Sequence, residues 1–242
     1  MGHLDYKSFT RRHRPHIQPL NTKLFITFRL FGSIPNSIVR LYKKKKIWLE
    51  RQLDQLIRVE EDLNCIAVQE QLKRLERFSG EWFLRFEEIL HKARTGPLWI
   101  SNDGVAQKIA DNLHRLDGEA IRLDAYTLMS NHVHTIFQPL LSEADLVKCL
   151  DAAGYPMFMS ELPALARIMQ WIKGRSAREC NQVLGRTGQF WEHESFDHVI
   201  RPGKFRKTLL YVLNNPVKAG MVDEWNDWRW NYCRKELLDY VR

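Results

Sequence analysis

Apolar and polar residues alternate in several stretches of the chain, and each stretch predicts a strand. The segment 24–30 is expected to be half-buried, with polar residues on one face and an apolar face formed by Leu24, Ile26, Phe28 and Leu30. The segment 121–129 alternates in the same way, and one side of it carries Ile121, Leu123, Ala125 and Met129. Ser130-Asn131 then makes a tight turn into a strand at 132–137, and 190–200 is extended and aromatic.

Helical spacing of apolar residues dominates elsewhere. The highly charged stretch 41–94 carries leucines three and four residues apart, among them Leu49, Leu53, Leu56, Leu63, Leu72 and Leu75. We expect one or two long helices there, broken near Gly80, that form an insertion laid against the main fold. The same spacing predicts helices at 105–116, 163–184 and 204–215.

The order strand, helix, hairpin, helix, strand and helix is typical of a small antiparallel sheet covered by helices. We therefore predict an α+β fold, namely a ferredoxin-like antiparallel sheet with helices on one face, plus an α-helical insertion. The second face of the sheet is then free to carry a site. The chain 1–242 is expected to be a single domain, in which 1–20 is a basic flexible arm and 41–94 is the helical insertion.

Composition narrows the class of protein. Of the 242 residues, 44% are hydrophobic and 11% aromatic, which suits a globular chain with a substantial core. A formal net charge of +8 favours an anionic partner, either nucleic acid or an acidic membrane surface, without choosing between them. The four cysteines form no CxxC pair, which predicts reduced thiols. No long apolar run follows the basic N-terminus, so we expect a soluble cytoplasmic protein with no membrane partner.

His132 and His134 are the most specific chemical signal. Residues two apart on a strand point to the same side, so both imidazoles are expected to project from one sheet face. Two neighbouring imidazoles can provide two ligands of a divalent metal. The alternative is a pair of hydrogen-bonded surface histidines, and the spacing alone leaves both interpretations open.

A second signal lies on the helix predicted at 204–215. Lys204, Lys207, Tyr211 and Asn215 share one stripe of this helix, an arrangement that suits phosphate chemistry. A tyrosine hydroxyl has an ordinary pKa near 10 and needs a nearby cation or base to act as a nucleophile. Taken alone, an ordinary tyrosine of an amphipathic helix is the simpler interpretation. Pro216 disfavours helical geometry at Asn215, which is expected at the end of the helix.

Three motifs occur in order: LMSNHVHTIFQPL at 128–140, GRTGQFWEHESFDHVIR at 185–201 and YVLNNPVKAGMV at 211–222. Together they resemble the REP-associated tyrosine transposases, within the wider single-tyrosine HUH nucleases. KGRSARECN and the ending DWRW are also similar to that family. The resemblance spans 25–230, and 41–94 matches poorly. This chain has Ser130 where the family often has proline, and Pro202-Gly203-Lys204 where the family often has acidic residues.

The resemblance implies a reaction and the residues for it. His132 and His134 fall at the positions of paired metal ligands, Tyr211 at that of the nucleophile, and Asn215 at that of a third ligand. The expected cofactor is Mg²⁺ or Mn²⁺. The expected activity is cleavage and rejoining of single-stranded DNA, with hairpin elements, through a 5′-phosphotyrosine intermediate. The protein would be a monomer or a homodimer.

Basic residues near the predicted site are candidates for DNA contact. They are Lys173, Arg175, Arg178, Arg186, Lys204 and Lys207. Phe190 and Trp191 could stack on bases, but core packing is the favoured interpretation, and the lysines at 43–46 are expected to form a solvated face. A second metal site among His193, Glu194, Asp197 and His198 is disfavoured.

Two rival functions stay open. The same fold could bind structured nucleic acid without cutting it, as a domesticated relative would. Alternatively, the His132 and His134 pair could serve an unrelated metallohydrolase, although no carboxylate or third histidine stands at a useful spacing in the sequence.

Overall fold

The computed structural model of the protein describes residues 22–60, 65–140 and 164–241, so the arm expected at 1–20 lies outside the described residues. One antiparallel sheet of five strands, in the order β4-β1-β3-β2-β5, forms the centre of this part of the chain. The strands are Leu24–Arg29 (β1), Ile121–Leu128 (β2), His132–Pro139 (β3), Phe196–Val199 (β4) and Asn231–Cys233 (β5). The predicted α+β class is confirmed.

Helices connect the strands as the sequence order predicts. They are Asn36–Glu60 (α1), Ile66–Lys92 (α2), Asp103–Leu116 (α3), Ala164–Val183 (α4), Phe205–Leu213 (α5) and Asn215–Lys218 (α6), with 3₁₀ turns at Trp99–Ser101, Trp225–Asp227 and Lys235–Tyr240. β3 lies between β1 and β2, and β1 lies between β3 and β4, which is the split β-α-β arrangement of a ferredoxin-like sheet. Within the described ranges, no helix has the length and hydrophobicity needed to span a bilayer.

The main core lies between one sheet face and helices α3 and α4. Ile26 and Phe28 of β1 pack there with Ile109 and Leu113 of α3 and Ile168 of α4, and all five side chains are buried. Removing this apolar surface from water is the main driving force for docking α3 and α4. The side chains of Phe190 and Trp191 are buried in this core too, so the prediction that they pack in the core is confirmed.

The second sheet face carries helices as well as the candidate site. Leu209 and Val212 of α5 pack on Phe25 and Ile136, and the end of α2 reaches the same face. β1 is therefore buried on both sides, and the expectation of a half-buried strand is wrong: Thr27, on the face expected to be polar and exposed, is only 6% exposed. The alternation of apolar and polar residues along β1 therefore separates two buried faces, each covered by helices, and does not separate a core from solvent.

β2 departs from the predicted alternation. The pairing of β2 with β3 shifts register between Leu123 and Ala125, which indicates a bulge. Leu123 packs in the main core, whereas Ala125 packs with α5 on the opposite face. The expectation that these two residues share one side is wrong, because the extra residue of a bulge reverses the order of faces beyond it.

Helices α1 and α2 form an antiparallel hairpin, called the insertion hairpin below. It has a small core of its own, formed by Leu49, Leu53, Val68, Leu75 and Phe78. The break expected near Gly80 does not occur, since α2 continues through it. A glycine inside a helix costs about 1 kcal/mol relative to alanine, which packing along both helices offsets.

The base of the insertion hairpin is attached firmly to the sheet domain. Ile34, Val39 and Leu90 form a buried cluster there. Gly96, at φ 77°, lies so close to Gly32 that a Cβ on it would be 2.3 Å from the Gly32 carbonyl oxygen. This position requires glycine, because only glycine permits both the left-handed conformation and the close contact.

Candidate functional site

His132 and His134 lie next to each other on β3 and are both fully buried. Their Nε2 atoms are 3.1 Å apart. His132 Nδ1 donates to Asn131 Oδ1 at 2.7 Å, and His134 Nδ1 is 2.7 Å from Thr27 Oγ1. Each ring therefore has a partner at Nδ1 that fixes its orientation and leaves Nε2 for the shared space. The alternative of two surface histidines is wrong.

Burial determines the charge state of His132. Desolvation, followed by the neighbouring charge of His134, lowers the pKa of His132 well below its ordinary value. The imidazole is therefore neutral, and because Asn131 accepts its Nδ1 proton, its lone pair lies on Nε2, which faces His134 Nε2. A neutral imidazole with a free Nε2 is the form that binds a metal ion.

The last two turns of α2 add two residues that sequence reasoning missed. Glu87 and His91 are four residues apart and therefore share one helix face. One ligand atom each from Glu87, His91, His132 and His134 lie within 4.8 Å of one another, the one such group in the described parts of the chain. Glu87 Oε2 is 3.1 Å from His134 Nε2 and 3.8 Å from His91 Nε2. The statement that no carboxylate or third histidine accompanies the histidine pair is thus corrected.

Glu87 is a buried carboxylate, only 5% exposed. Burial by itself raises the pKa of this carboxyl, but the charge and hydrogen bond of His134, together with the hydrogen bond from Tyr211, outweigh burial and lower the pKa to about 2. Glu87 Oε1 has no hydrogen-bond partner among the described residues. A buried carboxylate oxygen without a partner is costly, so the site is built for a further positive ligand.

Tyr211 projects from α5 into the same site. Its phenol donates a hydrogen bond of 2.6 Å to Glu87 Oε2, and its ring lies 5.8 Å from that of His134 and under Lys218 Nζ at 4.2 Å. Burial, then the charge of Glu87 and the hydrogen bond to it, raise the pKa of Tyr211 well above 10. The phenol is thus protonated and held in place, and it does not extend into solvent as an ordinary surface tyrosine would.

Asn215 is fully buried at the start of α6. α5 ends at Leu213 and α6 begins at Asn215, so the helix breaks at Asn214 and Asn215 itself is helical. The expectation that Pro216 keeps Asn215 out of helical geometry is wrong, because proline is tolerated in the first turn of a helix, where its missing N–H needs no partner. Asn215 Oδ1 accepts a hydrogen bond of 2.6 Å from His91 Nε2, and Asn215 Nδ2 donates to the Tyr211 carbonyl oxygen at 2.9 Å. The four residues that the sequence singled out therefore meet at one place, with Asn215 reaching it through His91.

The basic residues expected to contact DNA divide into two groups. Lys204 and Lys207 are exposed on the first turn of the tyrosine helix, where Lys204 lines a cleft together with Glu76, His198, Ile200, Arg201 and Thr208. The other four are on or just beyond α4, which packs on the opposite sheet face: Lys173, Arg175, Arg178 and Arg186. The sheet therefore separates this second group from Tyr211.

Three residues of the α4 group already have protein partners. Lys173 Nζ donates to the His193 carbonyl oxygen and to Ser195 Oγ, and burial lowers the pKa of Lys173 to about 8. Arg175 pairs with a glutamate one turn along α4, and the guanidinium of Arg186 lies 3.8 Å above the ring of Trp99. Arg178 is exposed.

No family model and no curated protein matches this chain. A solved structure to which it is similar is that of a REP-associated tyrosine transposase bound to a REP hairpin. The identity is 14%, the alignment covers 93% of this chain and 82% of that chain, and the TM-score is 0.40. A likeness at this level carries no information on the chemistry of this chain.

Proposed function

We propose that this protein is a metal-dependent enzyme that cleaves and rejoins single-stranded, hairpin-containing DNA through a covalent bond between Tyr211 and a 5′-phosphate. One observation carries the proposal: the phenol of Tyr211 hydrogen-bonds at 2.6 Å to Glu87, whose carboxylate contacts the buried His132 and His134 pair. A nucleophile and a set of metal-binding side chains thus share one site.

The donor set fits a divalent cation. His132 and His134 present Nε2 atoms to one space, and Glu87 brings a buried oxygen with no partner among the described residues. Mg²⁺ or Mn²⁺ bound there would polarise the scissile phosphate and neutralise the charge that develops on it. The side chains would hold such an ion within reach of the phenol that attacks.

Tyr211 performs the covalent step. Its Oη attacks phosphorus in line and gives up its proton to solvent, while the bond from phosphorus to the 3′-oxygen breaks and that oxygen takes up a proton from solvent to give a free 3′-hydroxyl. Glu87 orients the phenol, and Lys218 above the ring adds positive charge near the reacting oxygens. Because the tyrosyl phosphodiester conserves the bond energy, attack by a 3′-hydroxyl rejoins DNA without a nucleotide cofactor.

The surface around α5 suits the strand on which Tyr211 acts. Lys204, Arg206 and Lys207 are exposed on its N-terminal half, and Arg201 and His198 lie along the adjoining cleft. Positive charge on this side supports a path for the DNA backbone towards the phenol. The Arg201 guanidinium also pairs with Glu76 of the insertion hairpin, so this path runs beside that hairpin.

The test is the covalent adduct. A labelled single-stranded DNA hairpin is incubated with the protein and Mn²⁺, and a denaturation-resistant protein–DNA species is sought. We expect wild type to form it and Tyr211→Phe to lose it. Tyr240→Phe is the matched control, because Tyr240 is an exposed tyrosine outside the site. An adduct of Tyr211→Phe equal to that of wild type refutes the proposal.

A second candidate, recognition of structured DNA without cleavage, is favoured by one observation. The phenol of Tyr211 is tied to an anionic carboxylate that raises its pKa, which opposes nucleophilic attack. Salt-dependent hairpin binding with no adduct under any divalent metal would support this function instead.

A further inference from the structure

We infer that the insertion hairpin is part of the metal centre: Glu87 and His91 of α2 join His132 and His134 as ligands of a first-row transition-metal dication, in preference to Mg²⁺. The role of this metal in catalysis rests on the proposed function. The binding of the metal does not, and it can be tested without DNA.

The distances suit direct coordination. Two ligands of a tetrahedral ion, each held at about 2.05 Å, are separated by about 3.3 Å. The Nε2 atoms of His132 and His134 are 3.1 Å apart, and Glu87 Oε2 is 3.1 Å from His134 and 3.8 Å from His91. Only small rotations of side chains are needed to place these atoms around one ion.

The supporting contacts link the strand and the hairpin into one site. Asn131 accepts from His132 Nδ1 and donates from Nδ2 to the Leu90 carbonyl oxygen at 3.1 Å. Leu90 lies in α2 between the two proposed hairpin ligands. A single amide therefore orients a strand ligand and positions the helix turn that carries Glu87 and His91.

The unpartnered Oε1 of Glu87 is an independent indication of a ligand. Tyr211, His134 and His91 face Oε2, whereas Oε1 is buried with no hydrogen-bond partner in the described residues. Native proteins rarely leave a buried carboxylate oxygen in this state, and a bound cation is a chemical species that would satisfy it.

His91 and Asn215 compete for the fourth position. Their ligand atoms, His91 Nε2 and Asn215 Oδ1, are 2.6 Å apart and hydrogen-bonded to each other. An imidazole nitrogen is a much better ligand than an amide oxygen for Zn²⁺ and similar first-row dications. We therefore assign coordination to His91 and an orienting role to Asn215.

The donor set determines the preferred ion. Mg²⁺ requires near-octahedral oxygen coordination and retains several waters, whereas three imidazole nitrogens with one carboxylate suit Zn²⁺, Co²⁺ or Mn²⁺. The first-row transition ions are therefore expected to bind more tightly than Mg²⁺.

The experiment measures metal binding to the metal-stripped full-length protein by calorimetry with Zn²⁺, Mn²⁺ and Mg²⁺, and by the visible absorption of bound Co²⁺. We expect one equivalent of Zn²⁺ to bind, at least tenfold more tightly than Mg²⁺. Glu87→Gln and His91→Ala should each weaken Zn²⁺ binding by at least about 10- to 100-fold. Loss of a residue that only hydrogen-bonds to a metal ligand already has an effect of this size, so loss of a ligand should have no less.

Matched controls separate ligand loss from general damage. Glu88→Gln removes the adjacent, exposed carboxylate of α2, and His193→Ala removes an exposed histidine outside the site, so both should bind like wild type. Thermal melting of every metal-free variant checks folding. Asn215→Ala should weaken Zn²⁺ binding less than His91→Ala does, and it should keep the tetrahedral Co²⁺ spectrum.

Several outcomes overturn the inference. These are Mg²⁺ binding as tightly as Zn²⁺, unchanged affinity in folded Glu87→Gln or His91→Ala, or a larger loss in Asn215→Ala than in His91→Ala. The proposed function fails separately: if metal binds as described but no DNA adduct forms, the function is wrong and the metal centre stands. If folded His91→Ala and Glu87→Gln form the adduct normally with Mg²⁺, the metal centre is wrong and the function stands.

Discussion

The phenol of Tyr211 donates its hydrogen bond to the same Glu87 oxygen that lies 3.1 Å from His134 Nε2. One carboxylate oxygen thereby connects the candidate nucleophile with the candidate metal ligands. Whatever changes the charge of Glu87, whether a mutation or a bound cation, must change the acidity of Tyr211. The site can thus be examined through either residue.

The pKa of Tyr211 should fall when the charge of Glu87 is removed. Burial and the Glu87 carboxylate both raise it above 10, and Glu87→Gln removes only the second cause. We expect the phenol of metal-free Glu87→Gln to titrate at lower pH than that of wild type, although still above 10. Ultraviolet titration of tyrosinate, with the corresponding Tyr211→Phe protein subtracted, measures the shift. A pKa that stays constant or rises means that Glu87 does not control the phenol.

Glu87 should also make stability depend on pH. Its pKa is lowered from 4.5 to about 2, so its contribution is fully present above about pH 5 and is lost as the pH falls towards about 2. A shift of this size corresponds to about 3 kcal/mol. Relative to Glu87→Gln, the free energy of unfolding of the metal-free protein should decrease by that order across this window. Urea denaturation at several pH values tests it, and parallel curves for the two proteins would contradict it.

Thr27 should support metal binding through His134. Its hydroxyl lies 2.7 Å from His134 Nδ1, and Thr27→Val removes this partner while keeping the shape of the side chain. Loss of an outer hydrogen bond of this kind weakens metal affinity by about 10- to 100-fold. We expect that loss for Zn²⁺, measured by calorimetry.

Thr127→Val is the control for Thr27→Val. Thr127 is opposite His134 on the other neighbouring strand and is equally buried, but its hydroxyl contacts the sulfur of Met129. It should bind Zn²⁺ like wild type. Equal losses in the two variants would show that packing around His134, rather than the hydrogen bond, sets the affinity.

Gly96 should be intolerant of a side chain. Gly96→Ala would place a Cβ 2.3 Å from the Gly32 carbonyl oxygen in a left-handed conformation, and should destabilise the fold by about 2–4 kcal/mol. Gly80→Ala has open space within α2 and should stabilise it by about 1 kcal/mol. Chemical denaturation compares both with wild type. A neutral Gly96→Ala would mean that the base of the insertion hairpin is loosely held.

Local patterns were sufficient for most of the fold. The turn at 130–131, the strand that carries His132 and His134, and the helix that carries Tyr211 all depend on neighbours in sequence, and all were predicted close to their observed bounds. The register shift in β2 was not predicted, because a bulge depends on pairing with another strand. Gly80 was overrated as a helix breaker because its cost is small beside the packing of two long helices.

Half of the candidate site was not predicted for a related reason. Glu87 and His91 have a visible signal, a carboxylate and an imidazole four residues apart at the end of an amphipathic helix, but that spacing is common on solvated helices. Whether such a pair can bind a metal depends on where the end of the helix lies in the folded protein. Leu90 and the amide of Asn131 decide that, and they are 41 residues apart in sequence.

The contacts between α2 and the strand that bears His132 make the insertion hairpin a candidate for exchange between homologous proteins. Because it starts and finishes beside Gly32 and Gly96, a different helical hairpin could be grafted between those two glycines without redesigning the sheet. Such a chimera would keep its own strand histidines and tyrosine, yet it would acquire the metal-ion preference of the protein that supplied the hairpin. Ion selectivity would then be inherited as a module, independently of the strand that bears His132 and His134.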